Sequence, residues 1–186
     1  MIKIILASSS PRRKQLLQEV GLSIDIQVAN IDEVQHLAES PEALVRRLSR
    51  EKAAKIADIN RSALVIGADT DVDVDGVVLG KPADFTDACR LFGLIQGREH
   101  KVWGGFTIIC RDLDIEVTES SVTYVTMAAV SQEMIERYVR TGEPMDKAGA
   151  YAMQGIGGQF VEKINGSHTN VVGLDLPKIV RSLRSL

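Results

Sequence analysis

The amino-acid sequence predicts an α/β fold built on a mixed sheet. Short apolar runs alternate with segments of helical periodicity in the first half of the 186-residue chain. The pair Asp75-Gly76 separates two valine-rich runs, residues 72–74 and 77–79, which is the pattern of a β-hairpin. Two longer strand-like segments then follow one another with a short polar turn between them. Because hairpins join antiparallel strands, a mixed sheet is favoured over a wholly parallel one.

The first half of the chain is expected to alternate strands and helices. A buried strand is predicted at residues 2–7, and Ser10 followed by Pro11 is typical of a helix start with the serine as N-cap. That helix is expected to end at Gly21, where a glycine suits the position just past a helix. The remaining segments are a strand at 23–29, the clearest amphipathic helix at 41–58 and a second buried strand at 63–68.

The second half is expected to contain more strands and fewer helices. No repeat, linker or low-complexity segment interrupts it. Helices are predicted at residues 86–95, from the N-cap Ser131 to about residue 141, and at 176–183, and strands at 102–110, 115–127 and 160–164.

Composition excludes several classes of protein. The net charge of -3 argues against nucleic-acid binding driven by backbone phosphates. The N-terminal apolar run is too short for a signal peptide, and no stretch reaches the length of a membrane span. Cys89 and Cys110 show no zinc-ligand spacing and suit a reduced cytoplasm, although a disulfide between them stays open. We therefore expect a soluble cytoplasmic protein with no nucleic-acid or membrane partner.

The first candidate site is the basic loop, residues 8–14, with the sequence Ser-Ser-Ser-Pro-Arg-Arg-Lys. A strand that runs into a helix start offers free backbone N–H groups and the positive end of the helix dipole to an anion. Arg12 and Arg13 add planar donors that suit phosphate oxygens. A capped helix with a solvated basic first turn is the alternative. Because cations are unfavourable at a helix N-terminus unless an anion offsets them, the residues favour a phosphate site.

The second candidate is Asp69-Thr70, which follows the predicted strand 63–68. Ligands of open α/β sheets gather at the carboxyl ends of strands, where a carboxylate can bind a hard cation or activate water. A simple strand-terminating turn explains these residues equally well. Three further aspartates follow at every second position: Asp71, Asp73 and Asp75. Their spacing favours the solvent-facing side of a hairpin over an extended metal-binding edge.

Two lysines are weaker candidates. Lys52 lies on the amphipathic helix 41–58, where a solvated lysine is the ordinary expectation. Lys81 lies in Gly80-Lys81-Pro82, a rigid turn that suits a phosphate ligand. Neither lysine points to a function by itself.

The segment 143–155 is too long for a plain turn and too rich in small residues for a well-packed helix. Gln154 within it has the paired donor and acceptor that can contact a base edge. A surface loop with an internal Asp146–Lys147 salt bridge is an equal alternative. The histidines share no ligand spacing, so none of them is assigned a role.

Together these segments resemble the Maf family of nucleotide pyrophosphatases, also described as septum-formation-inhibitor-like proteins. The resemblance covers essentially the whole chain and implies one Maf-like domain over residues 1–186, with two lobes around a central cleft. Each motif is weak alone, but six or more in the same order are specific. The matching segments are Leu6-Ala7-Ser8-x-Ser10-Pro11-Arg12-Arg13, Glu33, Arg50-Glu51-Lys52-Ala53, Gly67-Ala68-Asp69-Thr70, Gly80-Lys81-Pro82, the Glu143–Tyr151 stretch, Gln154-Gly155, Asn165-Gly166-Ser167 and Asn170-Val171-Val172-Gly173-Leu174.

The resemblance implies cleavage of a nucleoside triphosphate between its α- and β-phosphates, with a divalent cation, Mg²⁺ or Mn²⁺, as cofactor. It also implies a cytoplasmic homodimer and a two-lobed fold like that of inosine triphosphate pyrophosphatases. Asp69 would be the general base or a metal ligand, and Glu33 its partner carboxylate and second metal ligand. Lys52 and Lys81 would complete the catalytic group. The implied substrate-binding residues are Ser8, Ser10, Arg12, Arg13, Thr70 and Gln154.

The family has one branch similar to dTTP/UTP pyrophosphatases and one similar to 7-methyl-GTP pyrophosphatases. Arg12, Thr70 and Gln154 match the first branch, so dTTP, UTP and modified pyrimidine nucleotides are the expected substrates. The alternatives are the 7-methyl-GTP branch and a non-catalytic, nucleotide-binding regulator of cell division. The chain departs from the family pattern at Asp71, where an apolar residue is usual, and near Trp103 and Asp175.

Overall fold

The computed structural model describes residues 2–186, so Met1, which the predicted domain range includes, lies outside the described residues. The strands are β1 (Ile4–Leu6), β2 (Ile24–Ile26), β3 (Leu64–Val74), β4 (Val77–Leu79), β5 (Glu99–Cys110), β6 (Ile115–Met127) and β7 (Val161–Asn165). The α-helices are α1 (Pro11–Glu19), α2 (Pro41–Ala57), α3 (Phe85–Ile95), α4 (Gln132–Val139), α5 (His168–Val172) and α6 (Leu176–Arg184). Short 3-10 helices lie at Arg111–Leu113, Glu143–Asp146, Ala148–Ala150 and Ile156–Phe160.

The strands form one mixed sheet in the order β2-β1-β3-β5-β6-β7, with β4 paired to β3 outside this path. Strand β1 is parallel to both β2 and β3. The β3–β4, β3–β5, β5–β6 and β6–β7 pairs are antiparallel. The prediction of an α/β fold with a mixed sheet is therefore confirmed, while the division into two lobes stays a prediction.

Helix α2 lies unusually close to the sheet because two glycines face it. A Cβ atom on Gly67 of β3 would stand 2.2 Å from the backbone oxygen of Ser49, and one on Gly105 of β5 would stand 2.4 Å from that of Val45. Only glycine leaves room for a helix backbone at this distance. Since side chains alternate along a strand, Asp69, two residues beyond Gly67, faces the same helix.

Local signals placed most element starts correctly. Ser10, with Pro11 behind it, caps α1, and Ser131 caps α4. Asp75 and Gly76 both have positive φ in the predicted β3–β4 turn, as this type of hairpin requires. Strand β2 is shorter than expected, and the structure adds α5 and several 3-10 turns that no pattern had indicated.

The alternative of a strand-terminating turn at Asp69 is wrong. The predicted strand end at residue 68 is wrong as well, so Asp69 does not lie at the carboxyl end of a strand. Strand β3 continues to Val74 because β5 pairs with it along Val65–Asp73. The solvent-facing interpretation is also wrong for Asp73, which is 3% exposed. Its carboxylate accepts hydrogen bonds from the backbone N–H of Gly76 at 2.7 Å and from Trp103 Nε1 at 3.2 Å. These donors allow a carboxylate to be buried on the helix-facing side of the hairpin.

Helices within residues 2–186 are all too short or too polar to cross a membrane. Cys89 and Cys110 are buried free thiols, so they do not form the disulfide that the sequence left open.

Candidate active site

A polar cavity of about 630 Å³ opens between the basic loop, β3 and the turn after β4. Nine of the predicted site residues line it: Ser8, Ser10, Arg12, Arg13, Glu33, Lys52, Asp69, Thr70 and Lys81. Gln154 does not; it is exposed and lies outside the cavity lining. Residues that are distant in the sequence therefore share one cavity, as the ordered motifs suggested.

Lys52 joins the two predicted carboxylates. Its Nζ atom lies 2.6 Å from Asp69 Oδ1 and 2.7 Å from Glu33 Oε1. Lys52 is 6% exposed and Asp69 is 7% exposed. The expectation of a solvated lysine on α2 is wrong, because the close packing of α2 at Gly67 turns this side chain into the cavity. The two opposite charges can be buried together because the hydrogen bond between them replaces hydrogen bonds to water that each group loses on burial.

Glu33 reaches this cluster from the irregular segment between β2 and α2. Its side chain is half exposed. Burial would raise its pKa, but the hydrogen bond and positive charge of Lys52 outweigh that effect and hold the pKa below its ordinary value. The segment is tied to α2 by Arg47, which donates to the backbone oxygen of Val34 at 2.9 Å and pairs with Glu39. Glu33 is therefore a charged carboxylate on an anchored but exposed segment.

Arg13 is bound almost entirely to the protein. Its guanidinium donates to the backbone oxygens of Gly173 and Ala68, both at 2.9 Å, to Ser8 Oγ at 3.2 Å and to Thr70 Oγ1 at 3.0 Å. Four of its five N–H donors are thus engaged. Burial lowers the pKa of Arg13, and the nearby Asp69 partly offsets this effect. The side chain joins the basic loop, β3 and the end of α5 into one wall of the cavity.

Arg12 and Lys81 are less committed to protein partners, whereas Lys147 Nζ donates to Asp146 Oδ1 and to the backbone oxygen of Glu143. Arg12 lies 3.8 Å from Asp146, which also pairs with Lys147 at 2.5 Å. Lys81 is exposed at the cavity edge. The Asp146–Lys147 pair named as an alternative for the 143–155 segment is present, yet Lys147 also lines the cavity. Sequence reasoning missed Lys147 as a site cation because its acidic neighbour suggested a self-contained surface pair.

Asp71 adds a second carboxylate beside Asp69. The two side chains point to the same side of β3, and Asp71 also lines the cavity. Its Oδ2 atom is buried and has no hydrogen-bond partner among the described residues. Burial and the charge of Asp69 raise the pKa of Asp71 to about 7. The residue where the chain departs from the family pattern is thus part of the cavity wall.

The carboxylates of the cavity suit a divalent cation whose coordination is completed by a bound ligand. Within residues 2–186, no group of three or more His, Cys, Asp or Glu side chains is placed to hold a metal ion. Glu33 Oε1 and Asp69 Oδ1 both bind the Lys52 ammonium, so the oxygens available to a divalent cation are those of the two carboxylates that Lys52 does not hold. Mg²⁺ in proteins is commonly held by one or two carboxylates together with substrate phosphates. Two carboxylates in a cavity open to an anion fit that pattern.

The fold and the cavity define an α/β protein with a polar pocket where a helix N-terminus, several cations and a buried carboxylate–ammonium cluster meet. The model of the family described as "Maf-like protein" matches residues 3–186. The chain belongs to this family, which confirms the resemblance drawn from the motifs.

Relatives named dTTP/UTP pyrophosphatase are similar along nearly their whole length. The protein from Symbiobacterium thermophilum is 45% identical over 98% of this chain and 93% of its own. That from Vibrio cholerae is 45% identical over 94% of this chain and 92% of its own, and that from Clostridium beijerinckii is 42% identical over 100% of both. Among solved structures, a HAM1 protein from Coxiella burnetii matches with a TM-score of 0.47 and 14% identity, covering 70% of this chain and 75% of that one.

Proposed function

We propose that this protein hydrolyses dTTP and UTP to the nucleoside monophosphate and pyrophosphate. The proposal is supported by membership of the Maf-like family and by relatives that carry the name dTTP/UTP pyrophosphatase at 42% to 45% identity. The observation that carries it is the Lys52 ammonium bound to Asp69 and Glu33 inside a cavity lined by the basic loop. Phosphoryl chemistry depends mainly on positioning and charge neutralisation, which this cavity supplies.

The phosphates would lie against the N-terminus of α1. Ser8, Ser10 and Arg12 line the cavity at this helix start, where the helix dipole favours an anion. Lys81 and Lys147 would neutralise the departing pyrophosphate from the opposite side. Because Arg13 is held by four protein acceptors, we assign it the role of fixing the loop rather than of a free phosphate ligand.

In the reaction, a water oxygen attacks the α-phosphorus and the bond from that phosphorus to the bridging oxygen of the β-phosphate breaks. The bridging oxygen leaves with pyrophosphate. Asp69 accepts the proton of the attacking water, and the Lys52 ammonium holds this carboxylate in place. Glu33 holds the other side of Lys52, so that both carboxylates face the reacting phosphate.

Glu33 and Asp69 would also hold the divalent cation, Mg²⁺ or Mn²⁺, that the family resemblance implies. When bound there, such an ion neutralises phosphate charge and lowers the pKa of water.

A nucleotide panel tests the proposal. The purified protein is incubated with canonical and modified nucleoside triphosphates plus magnesium or manganese, and pyrophosphate release is measured. We expect turnover with a preference for dTTP and UTP. Absence of turnover with every nucleotide and both metals would refute the proposed enzymatic activity and favour the alternative of a nucleotide-binding regulator. A strong preference for 7-methyl-GTP would move the chain to the other branch.

We further propose that the protein acts in the cytoplasm as a homodimer, with a nucleotide rather than a nucleic acid as partner. The family resemblance supports the dimer, the two free thiols suit a reducing compartment, and the net charge of -3 disfavours nucleic acid. Light scattering coupled to size-exclusion chromatography measures the oligomeric state directly. A monomeric mass at working concentration would contradict the dimer.

A further inference from the structure

A buried histidine and a buried tyrosine lie behind the cavity wall. His100 Nε2 of β5 is 2.9 Å from the hydroxyl of Tyr151, and the two rings meet edge to face with centroids 5.3 Å apart. His100 is 3% exposed and Tyr151 is 5% exposed. The other ring nitrogen, Nδ1 of His100, has no hydrogen-bond partner among the described residues. Among the described residues, the hydrogen bond to Tyr151 is therefore the one that the imidazole makes.

Tyr151 follows two residues with a left-handed backbone, a conformation that is unfavourable only for the second of them, an alanine. Gly149 has φ 68° and Ala150 has φ 56°, so both lie in the left-handed region. For alanine this region costs about 1 to 2 kcal/mol. A conformation of this kind persists only where the surroundings hold it. The buried Tyr151 side chain is the anchor directly after it.

The anchored segment is joined to the turn that carries Lys81. The backbone N–H of Gly149 donates to the backbone oxygen of Gly80 at 3.2 Å. Five residues from the segments 80–82 and 147–151 line the cavity, and we call them the second wall: Gly80, Lys81, Lys147, Ala148 and Tyr151. The second wall is thus attached to the sheet core through Tyr151 and His100.

The His100–Tyr151 bond persists over the physiological pH range. Burial, with a smaller contribution from the charge of Arg98, lowers the pKa of His100 to about 4, so the imidazole is neutral near pH 7. Burial also raises the pKa of Tyr151 well above its ordinary value, so the phenol keeps its proton. A neutral imidazole and a neutral phenol form one ordinary hydrogen bond.

We propose that His100 is a positioning residue that acts through Tyr151 to hold the second wall where Lys81 and Lys147 meet the pyrophosphate end of the substrate. The substrate named here rests on the proposed function. The expected effect of losing the bond is weaker binding of the phosphates with an almost unchanged chemical step, because Asp69 and Lys52 lie on β3 and α2 and are not part of the second wall.

The test uses Tyr151→Phe, His100→Leu, the double variant and His100→Gln in the full-length protein. Tyr151→Phe keeps the ring and removes only the hydroxyl, so it remains informative if His100→Leu fails to fold. We expect the KM for dTTP to rise about five- to tenfold, which is the scale of one lost buried hydrogen bond, and kcat to stay within about twofold of wild type. The double variant should be no worse than either single change. His100→Gln, whose amide reaches the Nε2 position, should recover most of the wild-type KM.

Calorimetric titration with inorganic pyrophosphate separates this proposal from the proposed function. The dissociation constant for pyrophosphate should rise in Tyr151→Phe by the same factor as the KM for dTTP, whether or not the wild-type protein turns over dTTP. Weakened pyrophosphate binding in a protein without turnover would support the positioning role and refute the proposed function. Turnover in wild type, with pyrophosphate affinity and KM unchanged in Tyr151→Phe, would refute the positioning role alone. Absence of pyrophosphate binding by wild type would also overturn it.

Thr107→Val is the matched control for a lost buried hydrogen bond. Thr107 Oγ1 bonds Ser49 Oγ beneath α2 and Thr118 Oγ1 on β6, both at 3.0 Å, and it lies outside the cavity lining. We expect a lower Tm with an unchanged KM. A rise in KM equal to that of Tyr151→Phe would show that general loosening, and not the second wall, explains the effect.

Discussion

Lys52 Nζ lies 2.6 Å from Asp69 Oδ1, and both side chains are more than nine-tenths buried. Removing one partner of such a pair leaves a buried charge without compensation, which is strongly destabilising. Glu33 shares the same ammonium at 2.7 Å, so one cation serves two carboxylates. This arrangement provides the basis for predictions about catalysis, packing and metal binding.

The first prediction concerns the charge of Asp69. Asp69→Asn keeps the shape of the side chain and an oxygen for Lys52, but it removes the proton acceptor. We expect turnover to fall at least about 100-fold, the scale of general base catalysis. The fold should stay intact because Glu33 still pairs with the Lys52 ammonium. Steady-state pyrophosphate release and circular dichroism measure the two effects. Near-normal activity would refute the assigned role.

Asp73→Asn is the control on the same face of the same strand. Asp73 is buried but lies outside the cavity lining, and its partners are the backbone N–H of Gly76 and the indole of Trp103. We expect its activity to stay within about threefold of wild type, since a general base acts only within hydrogen-bond reach of the reacting water. An equal loss in both variants would mean that strand integrity, and not the Asp69 carboxylate, limits turnover.

The second prediction concerns Gly67, where α2 packs on β3. An alanine Cβ would stand 2.2 Å from the backbone oxygen of Ser49 and 2.6 Å from the backbone nitrogen of Ala53. Because neither backbone atom can yield alone, Gly67→Ala must displace α2 and with it Lys52. We expect a loss of about 3 kcal/mol in the free energy of unfolding, together with reduced turnover. Urea unfolding and initial rates provide the measurements.

The same substitution at Gly93 provides the control. Gly93 lies on α3 with no atom within 4 Å of the added Cβ. Alanine in an exposed helix interior should stabilise the protein by about 0.5 to 1 kcal/mol and leave turnover unchanged. If Gly67→Ala proved as harmless as Gly93→Ala, the close approach of α2 would not set the position of Lys52.

The third prediction concerns the divalent cation. Chelation should stop turnover, and added Mg²⁺ or Mn²⁺ should restore it. Glu33→Gln removes one of the two proposed carboxylate ligands, so we expect the metal concentration for half-maximal activity to rise about tenfold, or 1.4 kcal/mol in binding free energy. Mn²⁺ binding measured by electron paramagnetic resonance gives a readout independent of turnover. Asp32→Asn, on the adjacent exposed residue, should change neither value. An unaltered metal requirement in Glu33→Gln would exclude Glu33 as a ligand.

The fourth prediction concerns stability at acid pH. His100 has a pKa of about 4 in the folded protein against 6.5 in a free side chain. Between these values the unfolded chain binds more protons, so the free energy of unfolding falls as the pH drops from 6.5 towards 4. The full contribution is about 3.5 kcal/mol at most, since one pKa unit corresponds to about 1.4 kcal/mol.

His100→Gln removes this titration. Urea unfolding of both proteins between pH 7 and pH 4.5 should therefore show wild type losing stability relative to the variant as the pH falls. The carboxylates common to both proteins cancel in the difference. A difference that stays constant across this range would show that His100 does not titrate as a buried imidazole.

Local rules in the sequence predicted much of the secondary structure. Ser10 and Ser131 cap helices as expected, and the Asp75-Gly76 turn joins β3 to β4. These outcomes depend on contacts within a few residues, so the residue types are sufficient to indicate them. The ordered motifs also identified nine of the residues that share the cavity, whereas Gln154 was assigned to the site and lies outside its lining.

Contacts between distant segments were decided only by the tertiary structure. Lys52 became a buried partner of Asp69 because α2 approaches β3 at Gly67, and a helical pattern cannot reveal that distance. Arg13 bonds Gly173, 160 residues further along the chain. His100, to which the sequence assigned no role, meets Tyr151 across 51 residues. Periodicity indicates which face of an element is buried. Which groups meet on that face depends on how closely the elements pack, and so the sequence named most of the site while the fold determined how each residue is used.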